Sequence, residues 1–170
     1  VAEKHNFAEM NGKRGILQLR WATFGEPSQL NAQPHLDTEG LMVGAHNGNI
    51  VNNVQLRKEF AAEGMLVRSG NDGESCVHAV ERHILRGKSM LEAIRLAYHD
   101  LQGDYAFVIG LADDNRLYAI KSGSGLVVGC GEDFNCISSD LPSVLPLTRQ
   151  IIFLNDGEIV EFSAKNVKIF

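Results

Sequence analysis

Three short segments carry side chains of the kinds that recognise a small charged molecule. Arg20-Trp21-Ala22-Thr23 stands where a run of alternating apolar residues empties into a polar loop, a place from which side chains project off a rigid base. The Arg20 guanidinium offers paired N–H donors that match the two oxygens of a carboxylate, and the Thr23 hydroxyl could add a donor beside them. A surface ion pair for Arg20 and a core plug for Trp21 are the commoner uses of these residue types. His46-Asn47-Gly48 closes the apolar run Leu41 to Ala45. The Asn47 amide and the Gly48 N–H could there converge on one point, as the stabilisation of an oxyanion requires. An Asn-Gly pair more often serves a tight turn with positive φ. Asp72, inside Ser69-Gly70-Asn71-Asp72-Gly73-Glu74, brings a carboxylate to the start of a helix, where it either caps the helix or holds an ammonium group.

Other candidates carry less. His78 and His83 are five residues apart on one helix and do not share the i, i+4 face of a metal-binding pair. Gly123-Ser124-Gly125 has neither the Walker lysine nor a GxGxxG spacing and reads as a turn between strands. Cys76, Cys130 and Cys136 are an odd number without CxxC spacing. That argues against a disulfide framework and a zinc knuckle and for a reducing, cytoplasmic setting.

The elements that must position these residues follow from periodicity. Gly15 to Thr23 reads as a strand running into the loop at Gly25, Asn31 to His35 as irregular, and Leu41 to Ala45 as a buried strand closed by a turn at Asn47-Gly48. Asn53 to Gly64, Asp72 to Arg86 and Ser89 to Gly103 carry apolar residues at helical spacing, each with a glycine past its end. The third opens with the capping-box pattern Ser-Met-Leu-Glu. Beyond Gly103 come short β-rich runs at Tyr105–Ala112, Arg116–Ser122, Leu126–Cys130, Asn135–Ser138, Gln150–Leu154 and Glu158–Phe162. Hairpin turns are predicted at 113–115 and 155–157. Strands, helices, then a strand meander predict one layered α+β domain with mainly antiparallel sheet.

Composition narrows the function classes. The 170 residues are 44% hydrophobic and carry a net charge of -5 from 21 acidic and 16 basic residues. That gives no basic footprint for nucleic acid. The longest apolar stretches fall far short of the roughly 20 residues that cross a bilayer.

Taken in order, the blocks LRWATFGEPSQLNAQPH, AHNGNIVNNVQLRKEF, NDGES, LQGDYAFVIG, SGSGLVVGCG, ISSDLPSVLPLTR and FLNDGEIVEF resemble the class II glutamine amidotransferase domain over roughly residues 13 to 170. The resemblance implies an N-terminal-nucleophile hydrolase fold, an αββα four-layer sandwich, incomplete here at its N-terminus. It implies hydrolysis of L-glutamine to glutamate and ammonia by an N-terminal cysteine whose own α-amine relays the proton, with no metal or other cofactor. By the same resemblance Asn47 and the Gly48 N–H hold the oxyanion, Arg20 and Thr23 the substrate carboxylate and Asp72 its ammonium. His46 belongs to the substrate-binding block, and Trp21 matches a tryptophan near the ammonia exit. A sugar-phosphate isomerase or synthase domain is expected to follow in a longer chain. Ammonia would be passed there to fructose-6-phosphate, giving glucosamine-6-phosphate; a homodimer is left open.

Val1 stands where the resemblance expects the cysteine segment. The chain is therefore expected to be a fragment, inactive as a hydrolase without that cysteine. Phe24 replaces a family histidine, Asn71 and Gly73 replace threonines, and Gly125 replaces a proline. Asn31-Ala32-Gln33-Pro34 also resembles the amidophosphoribosyltransferase branch, and a nucleophile-less glutamine-binding or regulatory module is the other alternative.

Overall fold

The computed structural model describes residues 6, 9, 11–19 and 26–170. The strands are β1 (His35–Leu36), β2 (Met42–Ile50), β3 (Gly103–Leu111), β4 (Leu117–Ser122), β5 (Val127–Cys130), β6 (Asn135–Ser138), β7 (Gln150–Phe153), β8 (Val160–Phe162) and β9 (Val167–Ile169). The helices are α1 (Asn53–Ala62), α2 (Glu74–Leu85), α3 (Met90–Asp100) and the one-turn α4 (Leu141–Val144). A six-stranded sheet runs β1-β2-β3-β4-β8-β9 and a three-stranded sheet β6-β5-β7, with every pairing antiparallel.

Alternation along the strands builds two cores. Ile50, Tyr105, Phe107, Ile109, Tyr118 and Ile120 face the helices, where they meet Phe60, Val77, Val80, Ile94 and Ala97. Ala106, Leu117, Ala119 and Val160 face the small sheet and meet Leu126, Val128 and Ile152. On the outer side of the small sheet, a Cβ at Gly129 would strike Val144 and Thr148, so α4 supplies the last of four layers. The α+β layering expected from the sequence is the observed one.

Helices α1 and α2 end as their glycines require, with Gly64 and Gly87 at φ 87° and 78°, whereas α3 ends on an extended Leu101 and Gly103 already belongs to β3. The capping box of α3 is formed, with Ser89 Oγ accepting from the Glu92 N–H and the Ser89 N–H donating to Glu92. The start of α1 is held differently. Asn52 donates to the Asp100 carbonyl and accepts from the Gln102 N–H, tying α1 to the end of α3.

Four expectations change. The strand expected from Gly15 forms no ladder over residues 15–19, where Leu17 and Leu19 are largely exposed; the rest of it, residues 20–23, lies outside the described residues. β2 does not stop at Asn47-Gly48 but pairs with β3 as far as Ile50. Residues 155–157 close no hairpin, because β7 and β8 belong to different sheets. The short elements β1, α4 and β9 join those that periodicity marks.

The chain leaves the large sheet after β4, builds the small sheet, and returns at β8 beside β4. The two ends of this excursion are clasped together. The Gly157 N–H donates to the Lys121 carbonyl, and the Asp156 carboxylate takes the Gly123 N–H and the Lys121 ammonium.

Candidate functional site

Asp72 is where the elements converge. Its side chain is 1% exposed, yet it does not cap α2, whose N-cap is Gly73 without a side-chain bond. Instead Oδ2 accepts the Ile50 N–H from the end of β2 at 2.9 Å and lies 3.3 Å from His46 Nε2. Burial works against the charge, but the His46 ring and the Ile50 N–H outweigh it and hold the carboxyl below its usual range. Asp72 is thus an ionised carboxylate fixed from two directions.

His46 reaches it because Gly73 has no side chain. A Cβ there would stand 2.1 Å from His46 Nδ1. The same nitrogen meets Gln33, whose Oε1 accepts the His46 backbone N–H at 2.6 Å and lies 3.2 Å from Nδ1. Two neighbours of Gln33 also grip the 69–73 loop: Asn31 Oδ1 accepts the Gly70 N–H, and His35 Nε2 pairs with Asn71 Oδ1 at 3.0 Å. Asn71 Oδ1 in turn accepts the Gly73 N–H. Residues 31, 33 and 35 therefore form a strap over the loop that presents Asp72. The segment is turn and bend as far as His35, so no periodicity in the sequence marks this strap.

Below the loop, Glu74 anchors the helix. Its buried carboxylate accepts from the N–H groups of Arg68 and Ser69 and from the Ser69 hydroxyl at 2.7–2.8 Å. Burial opposes its charge, but His78 and these donors bring its pKa down to about 2. His78, read from the sequence as an ordinary helix histidine, is fully buried between Glu81, 2.6 Å from Nδ1, and Glu74, 3.6 Å from Nε2. Burial alone would strip its proton; the two carboxylates raise its pKa above the ordinary value.

Gly48 sits inside β2 at φ 120°, and a Cβ there would fall 2.1 Å from the Asp104 carbonyl oxygen and 2.7 Å from Tyr105 Cα. Only glycine fits, for both backbone and space. Asn47 is exposed and lines a cleft of about 480 Å³ between the sheets, with Leu17, Leu19, Val108, Leu126 and Ser138. So the structure brings His46 and Asp72 together and sets Asn47 toward the inter-sheet cleft, whose lining also includes His46. Leu19 reaches the rim of that cleft. Arg20, Trp21, Thr23 and Phe24 lie outside the described residues. Among the described residues no group of three His, Cys, Asp or Glu is placed to hold a metal ion, and no helix is long and apolar enough to cross a membrane.

The fold is shared with solved structures. The glutamine phosphoribosylpyrophosphate amidotransferase of B. subtilis, complexed with ADP and GMP, superposes with a TM-score of 0.71 over 90% of this chain and 33% of its own, at 23% identity. A structure described as the allosteric regulatory enzyme of purine biosynthesis gives 0.65 over 83% of this chain and 31% of its own, at 22% identity. At these identities the likeness speaks for the N-terminal-nucleophile type of fold alone.

The family model described as "Glutamine amidotransferase domain" matches residues 19–129, and the chain belongs to that family. Glutamine–fructose-6-phosphate aminotransferase (isomerizing) of Aquifex aeolicus is 41% identical over 163 residues, covering 95% of this chain and 27% of that protein. The protein of the same name from Thermococcus kodakarensis is 40% identical over 159 residues, covering 93% and 26%. The chain thus spans about a quarter of the length of these relatives.

Proposed function

We propose that the chain is the glutaminase domain of a longer amidotransferase. It would release ammonia from L-glutamine for transfer to a sugar phosphate, fructose-6-phosphate to glucosamine-6-phosphate, in a synthase domain that follows. The observation that carries this reading is identity of 40% and more, along almost the whole chain, to enzymes named for that transfer. The geometry fits its first half. Glutamine is a zwitterion, and a site selecting it needs one anion and one bidentate cation at fixed separation. Asp72, buried, ionised and braced by Ile50 and His46, supplies the anion for the α-ammonium. Arg20, with Thr23, supplies the cation for the carboxylate. Asn47 and the Gly48 N–H, at the pinned end of β2, stabilise the oxyanion formed when the side-chain amide is attacked. Trp21 borders the path by which ammonia leaves.

The nucleophile in this reading is an N-terminal cysteine of the full protein, and the present chain alone binds glutamine without hydrolysing it. Cys76 is no substitute, being buried with its thiol pKa pushed up by that burial.

Titration calorimetry with L-glutamine tests the proposal on this chain and on Asp72→Asn. Saturable binding that Asp72→Asn abolishes is the expected result, and equal binding by both overturns the assignment of Asp72. Ammonia release by the full-length protein, dependent on its N-terminal cysteine, separates the hydrolase from a module that only binds glutamine.

A further inference from the structure

We infer that Gln33 is a positioning residue for the ammonium-binding carboxylate, acting through the ring of His46; the inference rests on the glutamine reading above. Gln33 Oε1 is fixed by the His46 backbone N–H at 2.6 Å, so it can present only an acceptor to Nδ1, 3.2 Å away. Nε2, at the other end of the ring, faces a second acceptor, Asp72 Oδ2, at 3.3 Å. Gln33 thus fixes the turn of the ring, holding Nδ1 toward the 31–35 strap and Nε2 toward the Asp72 carboxylate.

The ring has no freedom to escape this arrangement. His46 is 5% exposed, and its Nδ1 side is packed against the Cα of Gly73, where even a methyl group would collide. Among the described residues the ring's hydrogen-bond partners are the Asp72 carboxylate, just before α2, on Nε2 and the neutral Gln33 amide on Nδ1. Asp72 Oδ2 is held by the Ile50 N–H and the His46 ring together. Its orientation toward an incoming ammonium group consequently depends on a side chain in the 31–35 strap that never touches the substrate. The strap thereby sets the amino end of the site, separately from the carboxylate end expected at Arg20.

The test uses Gln33→Leu, which removes the acceptor, and Gln33→Glu, which keeps one. Nitrogen NMR of the His46 ring in the free protein comes first. The ring-nitrogen chemical shifts are expected to be alike in the wild type and Gln33→Glu and to move in Gln33→Leu, where Nδ1 loses its acceptor. A ring signature that Gln33→Leu leaves unchanged overturns the inference, whether or not glutamine binds.

Calorimetry then compares L-glutamine with glutaramate, which lacks the α-ammonium. Gln33→Leu is expected to weaken glutamine ~10-fold, the scale of one lost hydrogen bond to a charged pair. It should leave glutaramate within twofold, and Gln33→Glu should restore glutamine binding. Equal losses for both ligands mean a general structural role and overturn the inference. A wild type that binds no glutamine defeats the glutamine reading instead, and the ring spectrum then decides the role of Gln33.

Discussion

Replacing Glu74 with glutamine should cost stability in a way that depends on pH, and the amount can be worked from the site. The carboxylate is held at a pKa of about 2 against an ordinary 4.5, a depression worth ~3 kcal/mol at 1.36 kcal/mol per unit. Because the folded value is the lower one, this contribution is complete above 4.5. It is lost as the pH falls toward 2, where the native carboxylate is at last protonated. Glu74→Gln imitates the protonated form at every pH. Its deficit against wild type should therefore be largest at pH 6 and smaller by ~2 kcal/mol at pH 3. A constant cost is added by the amide NH₂ group that must face the Arg68 or Ser69 donors, but it does not change with pH. Urea unfolding of both proteins at pH 6 and pH 3, extrapolated linearly to water, measures the narrowing. Parallel curves, with the gap unchanged to within about 0.5 kcal/mol, would refute the account of Glu74 as an ionised anchor.

Three further outcomes are expected. Gly48→Ala should lose ~3 kcal/mol or more, because the added Cβ meets the rigid backbone of β3 at positive φ; a thermal melt within a few degrees of wild type contradicts this. Ser89→Ala should lose ~1 kcal/mol with an unchanged denaturant slope, as one exposed capping box is removed. Cys76, buried with a raised thiol pKa, should resist a thiol reagent until the protein unfolds, while the partly exposed Cys130 reacts in the native state; mass spectrometry of the labelled protein reads the order.

What could be read from the sequence was whatever repeats locally. Val77, Val80 and Ile84 mark α2 by helical spacing, and Tyr105, Phe107 and Ile109 mark β3 by alternation, so those elements stand within a few residues of expectation. β1 and β9 have two and three residues, too few to show any period, and exist only because a neighbouring strand offers an edge. The turn at 155–157 has hairpin chemistry, but whether a turn returns to the same sheet is decided by distant packing. The same division holds for the site. Asp72 could be singled out as a carboxylate before a helix, and Asn47-Gly48 as a polar pair after an apolar run. That Asp72 serves Ile50 and His46 instead of its own helix, and that Gln33 stands behind His46, are contacts between segments far apart in the chain. Glu74 gave no distinctive signal, since a glutamate in the first turn of a helix is ordinary and only burial makes it an anchor.

The clasp at Asp156 bears on how this chain can vary. Residues 123–156 start and finish at one point, held by Lys121, Gly123 and Asp156, beside strands that pair with each other without them. The small sheet is therefore an inserted unit, and the entropy of closing its loop grows only with the logarithm of its length. Residues can be gained or lost at its tips, around 131–134 and 145–149, without moving β4, β8 or the strands that carry Gly48. The large sheet has no such freedom, because its strands are threaded in register from β1 to β4 and each one bears on the next. Change in length is thus channelled to the small sheet and α4, and the half of the molecule that holds Asp72 keeps its dimensions.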